Sequence, residues 1–327
     1  MKIGIVGCGK QAPKHIAGLR SGNTSVDIVV CDLHRQAADR LAKEQSVHVA
    51  GSLEDMLQDS QLDGVIIATP TPFHYEAMVQ VLQSGKPVFC EKPLCETQEQ
   101  LHHLEQVMQT TGQFVQVGYV YRQVPAFRAL KKILDDPSQP LGKPVTALLR
   151  IGGRGSHSAW KHKKDTGGGA VNEMLVHMLD LAFWLFGDTC EIYSCEQRLL
   201  APTRQINGES VTADAEDFVL LSAASHAGVQ LVFQADLLTP TFRQYIEVQG
   251  TNGSFIGSIQ SELPAYIQLL SPVGDYAVGR HDLASEGLNL FNAQMQFFLT
   301  NVRARELLEG PTVRDSIALF NTLSQLL

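Results

Sequence analysis

The chain has 327 residues, 44% hydrophobic and 18% charged, the make-up of a globular protein long enough for two domains. A formal net charge of -8 argues against nucleic acid as a partner, and no apolar run reaches the length of a bilayer span or follows a charged leader, so neither a membrane nor secretion is expected. The six cysteines (Cys8, Cys31, Cys90, Cys95, Cys190 and Cys195) fit neither a zinc spacing nor a disulfide framework, so reduced thiols, no metal and a cytoplasmic location are expected.

Lys2 to Val6 reads as a short strand that stops at Gly7-Cys8-Gly9-Lys10-Gln11-Ala12 and gives way to a helix through His15 to Leu19. In this GxGxxA turn Gly7 allows the tight bend, Gly9 lets the backbone approach a pyrophosphate, and Ala12 lets helix pack on strand. Lys10 and Gln11 complete the turn, beside the free N–H groups of the helix N-terminus. A second strand, Val26 to Cys31, ends in Asp32, which is placed to bind adenosine ribose hydroxyls and repel a 2′-phosphate. NAD is therefore expected over NADP, with His34 and Arg35 leaving NADP open.

The alternation continues with a helix from Arg35 to Glu44, a strand from Val47 to Ala50, and a helix opened by the capping box Ser52 to Asp55. Gly64 to Ala68 is a strand apolar on both faces, followed by Thr69-Pro70-Thr71-Pro72 and a helix from Phe73 to Ser84 that Gly85 ends. Pro87 to Cys90, a helix capped at Thr97 to Gln100, and Phe114 to Gly118 complete the pattern. This predicts a doubly wound parallel sheet, an N-terminal Rossmann dinucleotide-binding domain over residues 1–119.

After Gly118 the rhythm fails. A helix near Pro125 to Leu134 and a strand from Val145 to Ile151 lead to Gly167-Gly168-Gly169, a glycine turn that launches a helix carrying Asn172, Glu173 and His177. Strand-like runs follow at 191–200, 218–224, 229–235, 245–250, 254–259 and 265–270, with closing helices at 288–308 and 312–327. Runs of strands predict an α+β domain over residues 120–327, with a mostly antiparallel, open-faced sheet and helices on one side. Four residues make about one helical turn, so Glu173 and His177 share a face and form a candidate proton-transfer pair, the carboxylate orienting the imidazole. The same helix also reads as plain core through Met174, Val176, Met178, Leu181 and Leu185, with His177 a satisfied buried ring. Asp180 is a further candidate for orienting His177. Tyr119, Arg122, Trp160, Lys161 and Tyr245 are candidates for a substrate wall.

Cys90-Glu91-Lys92-Pro93-Leu94 completes a signature that resembles the glucose-fructose oxidoreductase, inositol dehydrogenase and MocA (Gfo/Idh/MocA) family. The resemblance runs through nearly the whole chain. It takes in Gly7-x-Gly9 with His15, Ala68-Thr69-Pro70-Thr71-Pro72-x-His74, Gly85-Lys86-Pro87-Val88 before Glu91-Lys92-Pro93, Gly118 to Arg122, and Trp160-Lys161 ahead of the glycine turn and His177. It implies a cofactor site that includes Thr69, Pro70, His74, Glu91 and Lys92, with Lys92 and His177 beside the nicotinamide and a cis Pro93. Arg122, Lys161, Asn172 and His177 are then candidates for holding a sugar-like substrate, and the open sheet for joining copies into a homodimer or homotetramer. The family commonly has Asp where this chain has Glu173 and Gly where it has Leu175, which points to altered substrate geometry. The activity implied is NAD(P)-dependent hydride transfer at a secondary alcohol or ketone of a sugar, cyclitol or nucleotide-sugar, with Lys92, His177 and Glu173 catalytic. The alternatives are a non-catalytic dinucleotide-binding sensor of the same fold and a reductase of a non-sugar carbonyl or imine.

Overall fold

A computed structural model describes all residues except 23–24, 155–158, 188, 207, 261, 284–288 and 327, and the side chains of Trp160 and Thr166. The chain forms two compact units, Met1–Val120 with Leu288–Phe320, and Tyr121–Gly287 with Asn321–Leu327.

The first unit alternates strand and helix: β1 (Lys2–Val6), α1 (Ala12–Arg20), β2 (Asp27–Cys31), α2 (Arg35–Gln45), β3 (His48–Val49), α3 (Leu53–Leu57), β4 (Leu62–Ile67), α4 (His74–Gln83), β5 (Val88–Cys90), α5 (Gln98–Thr111) and β6 (Val115–Val117). All six strands pair in parallel in the order β3-β2-β1-β4-β5-β6, the doubly wound Rossmann arrangement. Both faces are covered, so Ile3, Ile5, Ile28, Val30, Ile66 and Phe89 are sealed from water, as an all-parallel sheet requires. Two helix starts read from sequence are present, since the Ser52 hydroxyl accepts from the Asp55 N–H at 3.0 Å and the Thr97 hydroxyl from the Gln100 N–H at 3.3 Å.

The second unit begins with α6 (Pro125–Asp135) and β7 (Pro144–Gly152), followed by α7 (Val176–Phe186). The remaining strands are β8 (Cys190–Arg198), β9 (Thr203–Ile206), β10 (Glu209–Thr212), β11 (Phe218–Ser225), β12 (Gln230–Asp236), β13 (Arg243–Gly250), β14 (Gly253–Ser258), β15 (Tyr266–Leu269) and β16 (Gly279–Asp282). Eight of these strands form one sheet in the order β16-β15-β14-β13-β7-β12-β11-β8, antiparallel except for the β12–β7 pair. One face is buried by Leu149, Ile151, Leu221, Phe233, Ile246 and Phe255, and α6 and α7 pack on the sheet. The opposite face stays open, with Tyr193, Leu220 and Val232 exposed at 56%, 40% and 39%. The sequence pattern does not indicate the β9–β10 hairpin or β16, each only four residues per strand.

The chain then returns to the first unit through α8 (Leu290–Ala304) and reaches α9 (Val313–Leu323). Met295, Phe298, Leu299 and Val302 of α8 enter one core with Ile3, Ile5, Ile16 and Phe89. The assignment of everything after residue 119 to one continuous second domain is thus corrected for residues 288–320. Their apolar stripe packs on α1 and shares the core of the first sheet. Among the described residues no helix is long and apolar enough to cross a membrane.

Candidate active site

Parallel pairing brings the carboxyl ends of β1, β2, β4 and β5 to one edge of the first sheet. Gly7, Asp32, Ala68 and Glu91 follow those four strand ends. Strand order places β2 and β5 three inter-strand steps apart, about 14 Å, with the β1/β4 switch between them. Gly7 has φ +95°, and a Cβ there would stand 2.7 Å from the Thr69 nitrogen and 2.8 Å from the Ala68 carbonyl carbon and oxygen. A side chain at Gly7 would thus push β1 off β4. Gly9 differs: it is exposed, and an added Cβ would meet nothing within 4 Å.

The Asp32 carboxylate accepts from the Cys8 N–H at 2.7 Å and the His34 N–H at 2.8 Å, which ties the tip of β2 to the glycine turn. Lys10 is exposed in the turn and Ala12 is buried at the foot of α1. No side chain caps the N-terminus of α1, and the Gln11 Oε1 and Thr69 Oγ1 atoms are buried without a partner. Pro70 is exposed at the start of a 3₁₀ turn, Thr71–Phe73. Burial pushes the Cys8 and Cys31 thiols up to about 12, so they stay protonated and inert. Among the described residues no cluster of His, Cys, Asp and Glu could hold a metal.

Lys92 is half-buried at the end of β5, and its bond to Pro93 is cis, as the family resemblance implies. The resemblance puts Glu91 and His74 at the cofactor, but the structure turns both side chains inward. A Glu91 carboxylate oxygen lies 2.8 Å from His15 Nε2, off the ideal donor direction, so the contact is electrostatic more than a well-aligned hydrogen bond. The His74 ring is buried between two carbonyl oxygens, its Nδ1 2.9 Å from that of Pro93 and its Nε2 2.8 Å from that of Thr69. His74 therefore ties the β4 loop to the Lys92–Pro93 segment.

In the second unit two glycines of the triple-glycine turn, Gly168 and Gly169, are packed from within, whereas a Cβ on Gly167 would meet nothing within 4 Å. A Cβ on Gly168 would meet the Lys161 carbonyl group, and one on Gly169, at φ +112°, would meet the Glu216 carboxylate. Glu216 accepts from the Val171 N–H at 3.0 Å and so holds the first residue of the following helical segment, a role sequence spacing does not reveal. That segment, Val171–Leu175, is a π-helical turn with i→i+5 bonding that runs into α7. The α-helical spacing used to place Glu173 and His177 on one face is therefore corrected, since the wider turn changes the angle between them. The Glu173 carboxylate forms an ion pair with the Lys161 ammonium, at 13% and 30% exposure. Asn172 donates to the Gly167 carbonyl at 3.2 Å and closes the turn.

His177 is half-buried, and its ring meets that of Tyr121 edge to face at 4.8 Å. Burial pushes the Tyr121 phenol up to about 12, so it remains protonated beside the imidazole. Tyr121 lies inside the Gly118-to-Arg122 motif, and sequence reasoning passes over it. Arg122, expected in the substrate wall, is 6% exposed and grips the buried Asp180 through Nε at 3.1 Å and Nη2 at 2.6 Å. The pair anchors α7, and breaking such a buried pair costs about 3–5 kcal/mol. Two other wall candidates move out of that role: Tyr119 is buried with its hydroxyl 3.1 Å from that of Ser316, and Tyr245 lies on the open sheet face. The side chain of Trp160 lies outside the described residues.

The profile of the oxidoreductase family with an NAD-binding Rossmann fold matches residues 1–119, and that of the GFO/IDH/MocA C-terminal domain matches residues 127–256. The chain belongs to the Gfo/Idh/MocA oxidoreductase family. Inositol 2-dehydrogenase of Burkholderia multivorans is 26% identical over 97% of this chain and 90% of its own. Among solved structures, an oxidoreductase domain protein from Kribbella flavida superposes with a TM-score of 0.85 at 20% identity, over 98% of this chain and 94% of that one. Levoglucosan dehydrogenase in complex with NADH and L-sorbose gives a TM-score of 0.83 at 18% identity, over 99% and 97% of the two chains. The open space at Gly9, the uncapped start of α1 and the unpartnered Gln11 oxygen fit NAD, the cofactor of this Gfo/Idh/MocA oxidoreductase.

Proposed function

We propose that this oxidoreductase moves a hydride between the nicotinamide of NAD and a secondary alcohol carbon of a cyclitol or sugar. The observation that carries the reading is Lys92 at the carboxyl end of β5, on the same sheet edge as the Gly7–Gly9 turn and Asp32. When bound, NAD supplies the hydride acceptor. The Gly7–Gly9 turn and the N-terminus of α1 receive the pyrophosphate, and Asp32 takes the adenosine ribose. Lys92 places its positive charge on the alcohol oxygen as alkoxide character develops. His177 accepts the hydroxyl proton, with the Tyr121 ring edge holding the imidazole. Lys161, fixed by Glu173, and Asn172 offer polar groups to the other hydroxyls. In the reverse direction His177 returns the proton to a carbonyl oxygen.

The inositol and levoglucosan dehydrogenases among the similar proteins support a cyclic polyol, and myo-inositol is the first substrate to assay. With a polyol that reduces NAD, Lys92→Ala and His177→Ala should each cut single-turnover hydride transfer by about a hundredfold or more, leaving NADH affinity within about threefold. Glu173→Ala should cost less than either. Full transfer in the Lys92→Ala protein would remove the lysine from the chemistry. The open face carrying Leu220 and Val232 is the surface on which copies of the chain would pair, and light scattering reporting only a 35.8 kDa species would refute that pairing.

A further inference from the structure

The π turn ahead of His177 is held from outside its own helix. Four successive N–H groups lead into it, and each has a partner on another segment. Gly168 donates to the Lys163 carbonyl at 2.9 Å, Gly169 to the Lys161 carbonyl at 3.0 Å, Ala170 to the Glu216 carbonyl at 2.9 Å and Val171 to the Glu216 carboxylate at 3.0 Å. Donors at a helix start have no acceptor within the helix itself. Three of these bonds run to carbonyl groups, and the fourth runs to a side chain that a substitution can remove. Glu216 lies just before β11, and the missing side chain of Gly169 gives its carboxylate room.

The turn closes on the residue that Glu216 holds, because the Val176 N–H reaches back five positions to the Val171 carbonyl. An i→i+5 turn is rare beside the i→i+4 turn, so its persistence calls for an outside constraint. On the other side α7 is fixed by the fully buried Met178, Leu179 and Leu181 and by the Arg122–Asp180 pair. Closing the turn by one residue would therefore leave His177 in place and swing Glu173 by about 100° around the helix axis. Glu173 is the partner of the Lys161 ammonium, and the Lys161 carbonyl in turn holds Gly169.

We propose that Glu216 is a positioning residue: its bond to the Val171 N–H keeps the turn in the π form and so sets the angle between Glu173 and His177. It acts through the backbone of the turn. The proposal rests on the reading that Glu173 and Lys161 serve the substrate side of the site.

The test compares Glu216→Met, which keeps the length and removes the acceptor, with Glu216→Gln, which keeps an acceptor, in the full-length protein. Hydrogen exchange is read by mass spectrometry on peptides covering 170–178. It should speed up about tenfold or more in the Met variant, as expected for losing a hydrogen bond to a charged acceptor, and stay within about threefold in the Gln variant. With a polyol that reduces NAD, Glu216→Met should lower kcat/KM about tenfold and Glu216→Gln should recover most of that loss. In a Glu173→Ala background Glu216→Met should cost nothing further, because both act at the same place. Glu216→Asp, one methylene short of the Val171 N–H, replaces the Met variant if that does not fold. Exchange unchanged without the acceptor, or raised equally by Gln, overturns the proposal, as does a full second loss on top of Glu173→Ala. The exchange result needs no substrate, so if no polyol is turned over the functional reading falls while exchange still decides the role of Glu216.

Discussion

A glycine turn leads into a helix in each unit, and Gly9 of the first serves a different purpose from Gly168 and Gly169 of the second. At Gly9 the missing side chain leaves open space at the start of α1, whereas at Gly168 and Gly169 it makes room for the protein's own Lys161 carbonyl and Glu216 carboxylate. A glycine run in sequence therefore carries two meanings, clearance for a ligand or clearance for the chain. The neighbours, not the glycines, decide which.

The largest effect is expected where the space is already filled. Gly169→Ala forces a side chain at φ +112° against Glu216, and should lower unfolding free energy by about 3 kcal/mol, read by urea denaturation. A change under about 0.5 kcal/mol would mean that Glu216 swings away freely and the turn is not packed. Gly9→Ala should sharpen the contrast: stability stays within about 0.5 kcal/mol while NADH affinity, from fluorescence titration, falls about tenfold. Unaltered affinity would show that the space at Gly9 is not used by the pyrophosphate. The smallest effect belongs to Asp32, whose repulsion of a 2′-phosphate is on the order of 1 kcal/mol at a partly exposed site. Replacement by Ser should narrow the preference for NAD over NADP by about fivefold, and an unchanged ratio would shift the discrimination to His34 or Arg35.

The first unit was legible as far as residue 119, where its information is local; the return of α8 was not. Strand, glycine turn, helix and acidic strand tip follow one another within about 30 residues, and caps such as Ser52 and Thr97 act three residues away. What sequence reading lost depends on contacts between distant segments. The π turn at Val171–Leu175 changes the spacing of Glu173 and His177, and its first N–H is held by Glu216, 45 positions on. Arg122 reads as a substrate group on its motif alone; only the fold brings Asp180 to it. His15 and His74 are recognisable as motif residues, but their partners, Glu91 and the Pro93 carbonyl, come from a different strand end.

The return of α8 to the sheet also sets a timetable for synthesis. The strands β1 to β6 leave the ribosome well before part of their own core, Met295, Phe298 and Leu299 of α8, is translated. At about 5–20 residues per second the nascent Rossmann sheet waits roughly ten to thirty seconds with that side uncovered. A ribosome stalled between β6 and residue 290 would present chaperones and proteases with an exposed apolar face of the cofactor domain.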